Sequence, residues 1–288
     1  MTAPAAAHRC AVLGSPIAHS LSPVLHEAAY AELGLTGWSY GHAEVRSGGL
    51  AGFVAGLDPS WRGLSLTMPL KVEVLELPGV TDVSDTAGRT GVGNTLLLDG
   101  SERQVHNTDV AGLVRALDGV VAGRVGSATV LGSGATARSA LAALATLGFA
   151  RVQVLARDPA RAAALRPLAR ALGVELVALA WGAEPADADV LVSTVTTGAL
   201  DHPETVVGSA AVVFDVVYDP WPTALASAAV RAGARVVDGL ELLVGQAVEQ
   251  VELMTGRRPS YAVLRAAGDA ALASSTTGLD DRVGPGAP

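Results

Sequence analysis

The sequence is poor in several residue types, and each shortage narrows what the protein can be. Cys10 is the single cysteine among 288 residues, which excludes an internal disulfide. It stands in an apolar run, and this context predicts a buried strand residue, not a reactive thiol. No apolar run reaches the roughly 20 residues that span a bilayer, and no basic-then-apolar signal segment is present. These features favour a reducing cytoplasm and predict no membrane partner.

Positive charge is also scarce. Lys and Arg number 20 against 28 Asp and Glu, which gives a formal net charge of −8. Nucleic-acid binding depends on clustered Lys and Arg, so no nucleic-acid partner is expected. The six histidines are scattered, and no His, Cys or Asp cluster has the spacing of metal ligands. No bound metal is expected either.

Lysine and asparagine are rarer still. Lys71 is the only lysine, and Asn94 and Asn107 are the only asparagines. Arginine supplies nearly all the basic side chains of this sequence. A single remaining lysine therefore indicates a position where a guanidinium cannot replace the amine. All three residues fall inside motifs described below, which marks those motifs as candidate functional sites.

The hydrophobic pattern predicts an α/β fold of two domains, because 288 residues exceed one ordinary α/β unit. Short apolar runs alternate with helical patterns, as in mostly parallel sheets. In the first half we predict strands at 9–13, 38–45, 63–66 and 94–98, and helices at 23–33, at 47–56 and from 69. The second half has the rhythm of a doubly wound nucleotide-binding domain, with strands at 128–131, 152–155, 176–179, 190–193, 212–217 and 235–237.

The last part of the chain divides into helices and a tail. Helices predicted at 240–255 and 261–273 follow the last strand, so they are free to return to the first domain. Residues 274–288 are rich in Ser, Thr, Gly and Pro, which predicts disorder.

A glycine-rich turn follows the first strand of the second half. Gly132, Gly134 and Ala137 form a GxGxxA pattern between a predicted strand and a predicted helix. Alone the pattern also fits a simple glycine turn, but between these elements it predicts backbone N–H groups around a pyrophosphate. The candidate cofactor contacts are Gly132, Ser133, Gly134, Ala135 and Thr136.

The end of the next strand predicts which dinucleotide is bound. An NAD site has a carboxylate there for the ribose 2′-hydroxyl, whereas an NADP site has arginine for the 2′-phosphate. Arg157 and Arg161 are four residues apart and can converge on one phosphate, although a solvated surface pair is the alternative. Asp158 could serve as the ribose acid, but its place before Pro159 favours a helix N-cap. NADP is the favoured cofactor.

Two serines precede the first predicted helix, in the run GSPIAHSLSP from Gly14 to Pro23. This run resembles the SxS signature of shikimate dehydrogenases, and the resemblance implies that Ser20 and Ser22 bind the substrate carboxylate. Two hydroxyls at a helix N-terminus form a reasonable seat for an anion. Ser22 also fits a plain N-cap, and the two roles are compatible. His19 is interpreted as structural.

The lysine lies in a second run with the same resemblance. Residues 65–71 read SLTMPLK and are similar to the family's NVTxPxK. The resemblance implies that Lys71 is the catalytic lysine and that Thr67 binds a substrate hydroxyl. The family usually has asparagine where Ser65 stands, and Ser65 is a candidate substrate contact. For an arbitrary lysine, a solvated surface position is the alternative.

Both asparagines stand in further segments that resemble the family. Gly93-Asn94-Thr95 is similar to its AVNT, which implies that Asn94 binds a substrate hydroxyl. Residues 107–109 are similar to its DNTDG, with His106 and Val110 in place of the flanking Asp and Gly, and imply that Asp109 partners Lys71. On local grounds Asp109 also fits a helix N-cap.

Later segments complete the resemblance. Residues 215–220 are similar to the segment whose tyrosine contacts substrate, which implies Tyr218, with Val216 as a cofactor contact. Gly239 corresponds to a glycine near the nicotinamide, and Gln246 on the following helix corresponds to a ligand of a substrate hydroxyl. Thr194 stands where the family often reads NATxxG and is a further candidate cofactor contact.

The resemblance implies an N-terminal α/β substrate domain plus a Rossmann-like doubly wound NADP-binding domain. Residues 8–109 form the substrate-binding catalytic domain, completed by helices of 239–273, and 110–238 form the NADP domain. The implied activity is reversible NADPH-dependent reduction of 3-dehydroshikimate to shikimate in chorismate biosynthesis by a monomer or homodimer. A quinate or aminoshikimate dehydrogenase using NAD or NADP is one alternative, and a catalytically silent sensor of a nucleotide or ring acid is another.

Overall fold

The computed structural model describes residues 7–123 and 126–280 and contains two six-stranded sheets. The first has the order β2-β1-β3-β5-β6-β4, with β1 (His8–Gly14), β2 (Trp38–Glu44), β3 (Trp61–Leu66), β4 (Asp82–Val83), β5 (Thr95–Asp99) and β6 (Glu102–His106). Its helices are α1 (Ser22–Leu33), α2 (Leu50–Ala55), α3 (Leu70–Glu73), a 3₁₀ turn (Val74–Glu76) and α4 (Asp85–Thr90).

The second sheet has the order β12-β11-β10-β7-β8-β9, and all its pairings are parallel. Its strands are β7 (Ser127–Leu131), β8 (Arg151–Ala156), β9 (Glu175–Ala180), β10 (Val190–Ser193), β11 (Val212–Asp215) and β12 (Arg235–Val237). The associated helices are α5 (Asp109–Val121), α6 (Ala135–Thr146), α7 (Pro159–Ala163), α8 (Arg166–Ala171), α9 (Glu204–Val207) and α10 (Ala224–Arg231). They are followed by α11 (Gly239–Thr255) and α12 (Tyr261–Asp280).

This order confirms the predicted doubly wound, Rossmann-like sheet. Strands continue outward on one side of β7 through β8 and β9, and on the other through β10, β11 and β12. The winding direction therefore changes between β7 and β10, and in such sheets ligands bind outside the carboxyl ends of the strands at this point. The glycine-rich turn leaves β7 at that place.

The first sheet is mixed, and part of it was not predicted. Strand β5 runs antiparallel to both β3 and β6, and the short β4 pairs in parallel with β6. Strand β6 (ERQVH) buries only Val105, so no apolar run marks it in the sequence. Helix α4 (DTAGRT) is mostly polar, so its sequence has no apolar helical pattern that would predict it. Sheet pairing and tertiary contacts, not local pattern, determine these elements.

The structure differs from the predicted ends of β11 and α12. Strand β11 ends at Asp215, so Val216 and Val217 lie in the following loop and not in the strand predicted at 212–217. Helix α12 continues to Asp280, beyond its predicted end at 273, because extending an existing helix needs only one more hydrogen bond per residue. The disorder predicted from 274 is therefore wrong for 274–280, and 281–288 lie outside the described residues.

The prediction for Cys10 is confirmed, since it is buried and its burial raises the thiol pKa to about 11.

Helix α11 connects the cores beneath the two sheets. Its Val244 and Val248 belong to the core of the first sheet, whereas Leu242 packs in the core of the second. Helix α5 contacts α11 directly and contributes Leu113 and Leu117 to the second core. Because Asp109 begins α5 and Gln246 lies on α11, this helix pair determines how two predicted site residues approach each other.

The α5–α11 contact depends on glycine. A Cβ added to Gly112 would lie 2.9 Å from the backbone nitrogen of Gln246. A Cβ added to Gly245 would lie 2.9 Å from the Cα of Gly112. Both obstacles are backbone atoms that cannot rotate away. The two helices can therefore be this close only because neither residue has a side chain.

We predict that Gly112→Ala lowers the free energy of unfolding by about 1–3 kcal/mol, because the added methyl forces the helices apart. Gly119→Ala on the same helix is the matched control, since a Cβ there would enter open space. The control should leave stability unchanged or raise it by up to about 1 kcal/mol. Urea denaturation of both variants measures this, and equal stabilities would contradict the close-packing account.

Candidate active site

A cavity of about 300 Å³ is lined by residues of the first sheet, of the loop after β11 and of helices α5, α6 and α11. Eight of the predicted substrate and catalytic residues lie on its wall: Ser20, Ser22, Ser65, Thr67, Lys71, Asp109, Tyr218 and Gln246. Three predicted cofactor residues lie on the same wall: Thr136, Val216 and Gly239. The structure thus brings most of the predicted site into one place, although these residues are spread over more than two hundred positions of the sequence.

Lys71 and Asp109 form a close ion pair in the cavity wall. Lys71 Nζ lies 2.6 Å from Asp109 Oδ2, and the two side chains are 13% and 2% exposed. Thr108, not Asp109, is the N-cap of α5 and makes no side-chain capping bond, whereas the first N–H of the helix, that of Asp109, donates to Asn107 Oδ1 at 3.1 Å. The alternative role of Asp109 as a capping residue is therefore wrong. Its carboxylate faces the lysine and is available to orient the amine.

Asn94 lies behind the wall and not on its surface, since it is fully buried. Its Nδ2 donates to Asp109 Oδ1 at 2.9 Å and to Gln246 Oε1 at 2.8 Å. Its Oδ1 accepts from the backbone N–H of Thr108 at 2.8 Å. Asn94 therefore connects two cavity residues to each other. The predicted direct contact of Asn94 with a substrate hydroxyl stays a prediction.

Ser20 and Ser22 lie at the start of α1. The N-cap is Leu21, which makes no side-chain capping bond, so the interpretation of Ser22 as a plain N-cap is wrong. Ser20 Oγ accepts instead from the backbone N–H of Ser22 at 3.3 Å. The helix begins without an acidic residue in its first turn, which leaves its positive end available for an anion. His19, interpreted as structural, is exposed on the same wall.

Close packing of two turns holds Thr67 and Lys71 in position. The backbone N–H of Thr67 donates to the carbonyl of Leu13 at the end of β1, at 2.9 Å. A Cβ at Gly14 would lie 2.3 Å from Thr67 Cγ2 and 2.9 Å from the carbonyl oxygen of Met68. The turn after β1 therefore presses against the turn after β3, and only glycine fits between them.

The predicted cofactor turn combines a glycine of positive φ with a helix start that has no side-chain cap. Gly132 has a φ of +104°, and a Cβ there would lie 2.5 Å from Thr194 Oγ1. Thr194 itself donates to the carbonyl of Leu131 at 2.7 Å and so closes the turn against β10. Gly134 is the N-cap of α6, and a Cβ there would enter open space. Among the described residues no side chain caps α6, so its first N–H groups are available to phosphate oxygens.

The end of β8 is arranged as the NADP interpretation expects. Asp158 is the N-cap of α7, and its carboxylate accepts from the backbone N–H of Ala160 at 2.9 Å. The predicted capping role is therefore confirmed, and that oxygen is engaged in the helix. Arg157 and Arg161 are both exposed beside this cap. Their contact with a 2′-phosphate stays a prediction.

The far wall of the cavity comes from the loop after β11 and the start of α11. A Cβ at Gly239 would lie 2.0 Å from the carbonyl oxygen of Val216, so the two backbones touch directly. Burial raises the pKa of Tyr218, which keeps its phenol protonated and able to donate. Asp238 caps α11 by accepting from the N–H of Glu241 at 3.2 Å. These contacts fix Gly239 where the two halves of the cavity meet.

Two residues beneath the cavity were not predicted from the sequence. Gln250 is almost completely buried and bonds to Ser65, Thr95 and the carbonyl of Asn94. Tyr40 is buried and donates to Ser65 at 2.6 Å. Gln250 stands four residues after Gln246, a spacing that places both on one helix face. For Tyr40 the sequence has no comparable signal.

Within 7–123 and 126–280, no group of three or more His, Cys, Asp or Glu is placed to hold a metal ion. Over the same residues, each helix is too short or too polar to cross a bilayer.

Comparisons with known proteins match the chain to one family. A family model described as the shikimate dehydrogenase substrate binding domain matches residues 12–96. Another, described as the shikimate 5'-dehydrogenase C-terminal domain, matches residues 239–267. The chain is 35% identical over 272 residues to the shikimate dehydrogenase (NADP(+)) of Methanothermobacter thermautotrophicus, covering 89% of this chain and 94% of that one.

Solved structures give the same result. The crystal structure of Mycobacterium tuberculosis shikimate dehydrogenase is 40% identical with a TM-score of 0.83, covering 91% of this chain and 99% of that one. The shikimate 5-dehydrogenase of Thermus thermophilus, solved in complex with NADP(H) and shikimate, is 34% identical with a TM-score of 0.80, covering 92% and 100%. With its two-sheet fold and this extent of identity, the chain belongs to the shikimate dehydrogenase family.

Proposed function

We propose that this protein is an NADP-dependent shikimate dehydrogenase, which reversibly reduces 3-dehydroshikimate to shikimate in chorismate biosynthesis. The observation that carries the proposal is the Lys71–Asp109 pair, at 2.6 Å, in a cavity whose wall also contains Ser20, Ser22 and residues of the cofactor turn. This reaction needs three parts: an anion-binding site for the ring carboxylate, an acid/base group and a dinucleotide-binding site.

Lys71 is the acid/base group of the proposal. NADP supplies hydride chemistry when bound, and the chain must then move a proton to or from the same substrate oxygen. As an amine, Lys71 accepts the hydroxyl proton during oxidation, and as an ammonium it donates the proton during reduction. Asp109 orients the amine, while the bond from Asn94 keeps the carboxylate in place.

Substrate orientation follows from the two ends of the cavity. Ser20 and Ser22 at the start of α1 bind the ring carboxylate, where hydroxyl donors and the helix dipole both favour negative charge. Thr67, Tyr218 and Gln246 contribute polar groups to the wall and bind ring hydroxyls. A ring held at both ends presents one face to the cofactor side, which is lined by Val216 and Gly239.

The cofactor contacts of the proposal lie along the switch point of the second sheet. The uncapped N–H groups of α6 fit a pyrophosphate, with the turn at Gly132, Ser133 and Gly134 allowing close approach. Ala135 and Thr136 begin that helix, and Thr194 supports the turn from β10. Arg157 and Arg161 bind the 2′-phosphate and so favour NADP over NAD.

Some finer assignments stay predictions. The division into a substrate domain (8–109 with helices of 239–273) and an NADP domain (110–238), the cytoplasmic location and the monomeric or homodimeric state rest on the sequence.

The experiment that tests the function is a steady-state assay of reduced-nicotinamide absorbance, with shikimate or quinate as substrate and NADP or NAD as cofactor. We expect rapid reduction of NADP with shikimate and much slower turnover in the other three combinations. Preferential activity with quinate or NAD would assign the protein to a sibling activity. Inactivity in all four combinations would contradict the enzyme and support a sensor.

Arginine variants test the cofactor assignment. We predict that Arg157→Ala and Arg161→Ala each raise the KM for NADP about tenfold while leaving the KM for NAD within about twofold, because only NADP has the charged phosphate partner. Arg170 is also exposed but lies on α8, and Arg170→Ala is the control. It should change neither the KM for NADP nor the KM for NAD. Equal increases in both KM values would mean that the arginines do not recognise the 2′-phosphate.

A further inference from the structure

A buried chain of polar side chains extends from Ser65 in the cavity wall to residues beneath it. Tyr40, Ser65 and Gln250 come from β2, β3 and α11, and each is at most 5% exposed. Tyr40 Oη lies 2.6 Å from Ser65 Oγ, which lies 2.9 Å from Gln250 Oε1. Buried polar groups without partners are costly, so each bond in this chain constrains the next.

One backbone carbonyl fixes the direction of these bonds. Gln250 Nε2 faces the carbonyl oxygen of Asn94 at 3.3 Å, and a carbonyl can only accept. The other end of the Gln250 amide must therefore be its oxygen, which accepts from the Ser65 hydroxyl. Since a serine hydroxyl has a single hydrogen, Tyr40 must donate to Ser65. Ser65 consequently has no hydrogen left to donate to a ligand in the cavity.

The opposite branch of the chain reaches the catalytic pair. Gln250 Nε2 also donates to Thr95 Oγ1 at 3.1 Å, and Thr95 donates to Asn94 Oδ1 at 3.0 Å. With its oxygen held in this way, Asn94 directs its Nδ2 to Asp109 and to Gln246 Oε1. The oxygen of the Gln246 amide is thereby engaged inside the protein. Its NH₂ group is the part left for the cavity, where it can donate to an oxygen of the substrate.

We propose that Gln250 is a positioning residue and that Ser65 acts through it. The pair orients Asn94 and Gln246, so that Gln246 presents a hydrogen-bond donor to a ring hydroxyl and Asp109 stays aligned with Lys71. Ser65 thus takes part in substrate recognition without binding the substrate, which revises the direct contact first predicted for it. The proposal rests on the proposed function and assigns the origin of selectivity at the same site.

A double-mutant cycle tests the pair. Ser65→Ala, Gln250→Met and the double variant are compared with wild type for the KM of shikimate, kcat, the Kd of NADPH and the melting temperature. We expect the KM of shikimate to rise several-fold in Ser65→Ala and about tenfold in Gln250→Met, with the double variant no worse than Gln250→Met. The Kd of NADPH should stay within about twofold of wild type, because the pair lies beneath the substrate side.

A matched control separates positioning from general stability. Gln153 is another buried glutamine whose amide bonds to Thr129 and Ala186 in the second sheet, so Gln153→Met lowers the melting temperature without changing the KM of shikimate. If Gln250→Met does not fold, Gln250→Glu provides the same test at nearly unchanged volume. It keeps an acceptor for Ser65 and replaces the donor that faces Asn94, so we expect the same rise in KM.

Two results would overturn the proposal. An unchanged KM of shikimate in the folded Gln250 variant would mean that Gln250 has no positioning role. Multiplying effects in the double variant would mean that Ser65 contacts the substrate independently. Both results presuppose a wild-type enzyme that oxidises shikimate, whereas failure of the proposed function would appear as inactivity of the wild type itself.

Discussion

Asp109 is a carboxylate almost entirely removed from water, and the surrounding structure is arranged to satisfy it. An isolated charge at such a position costs several kcal/mol, so it needs an opposite charge and hydrogen-bond donors in fixed places. Lys71 on α3 supplies the charge, and Asn94, immediately before β5, supplies a donor. The glycine contact between α5 and α11 then brings Gln246 to the same network. Through these contacts, the buried carboxylate of Asp109 connects the first sheet to helices α5 and α11.

Local sequence patterns were sufficient to predict those features that depend on residues of a single segment. Apolar runs predicted the parallel strands, and the GxGxxA pattern predicted the turn after β7 because glycine alone tolerates φ near +104° at Gly132. Asp158 before Pro159 predicted its capping role correctly. By contrast, β6 has one buried side chain and no apolar run, so only its pairing with β5 reveals it.

Contacts between distant segments could not be derived in this way. Lys71 and Asp109 are 38 positions apart, and only their motif resemblance suggested that they meet. The same resemblance suggested Asn94 as a substrate contact, which stays a prediction, but gave no sign of its bonds to Asp109 and Gln246. Ser65 and Gln250 are 185 positions apart, and no local pattern relates a strand serine to a helix glutamine. The shape of the cavity is therefore determined by tertiary hydrogen bonds that a linear pattern does not contain.

Proton transfer between the Lys71 amine and the substrate oxygen is tested most directly by measuring kcat and NADPH binding in Lys71→Ala and Lys71→Arg. Arginine keeps the charge opposite Asp109 but cannot release a proton near neutral pH. Both variants should lose roughly 10²- to 10⁴-fold in kcat while binding NADPH nearly as wild type does. Substantial turnover in Lys71→Arg would mean that charge alone suffices, and near-normal turnover in Lys71→Ala would contradict the account.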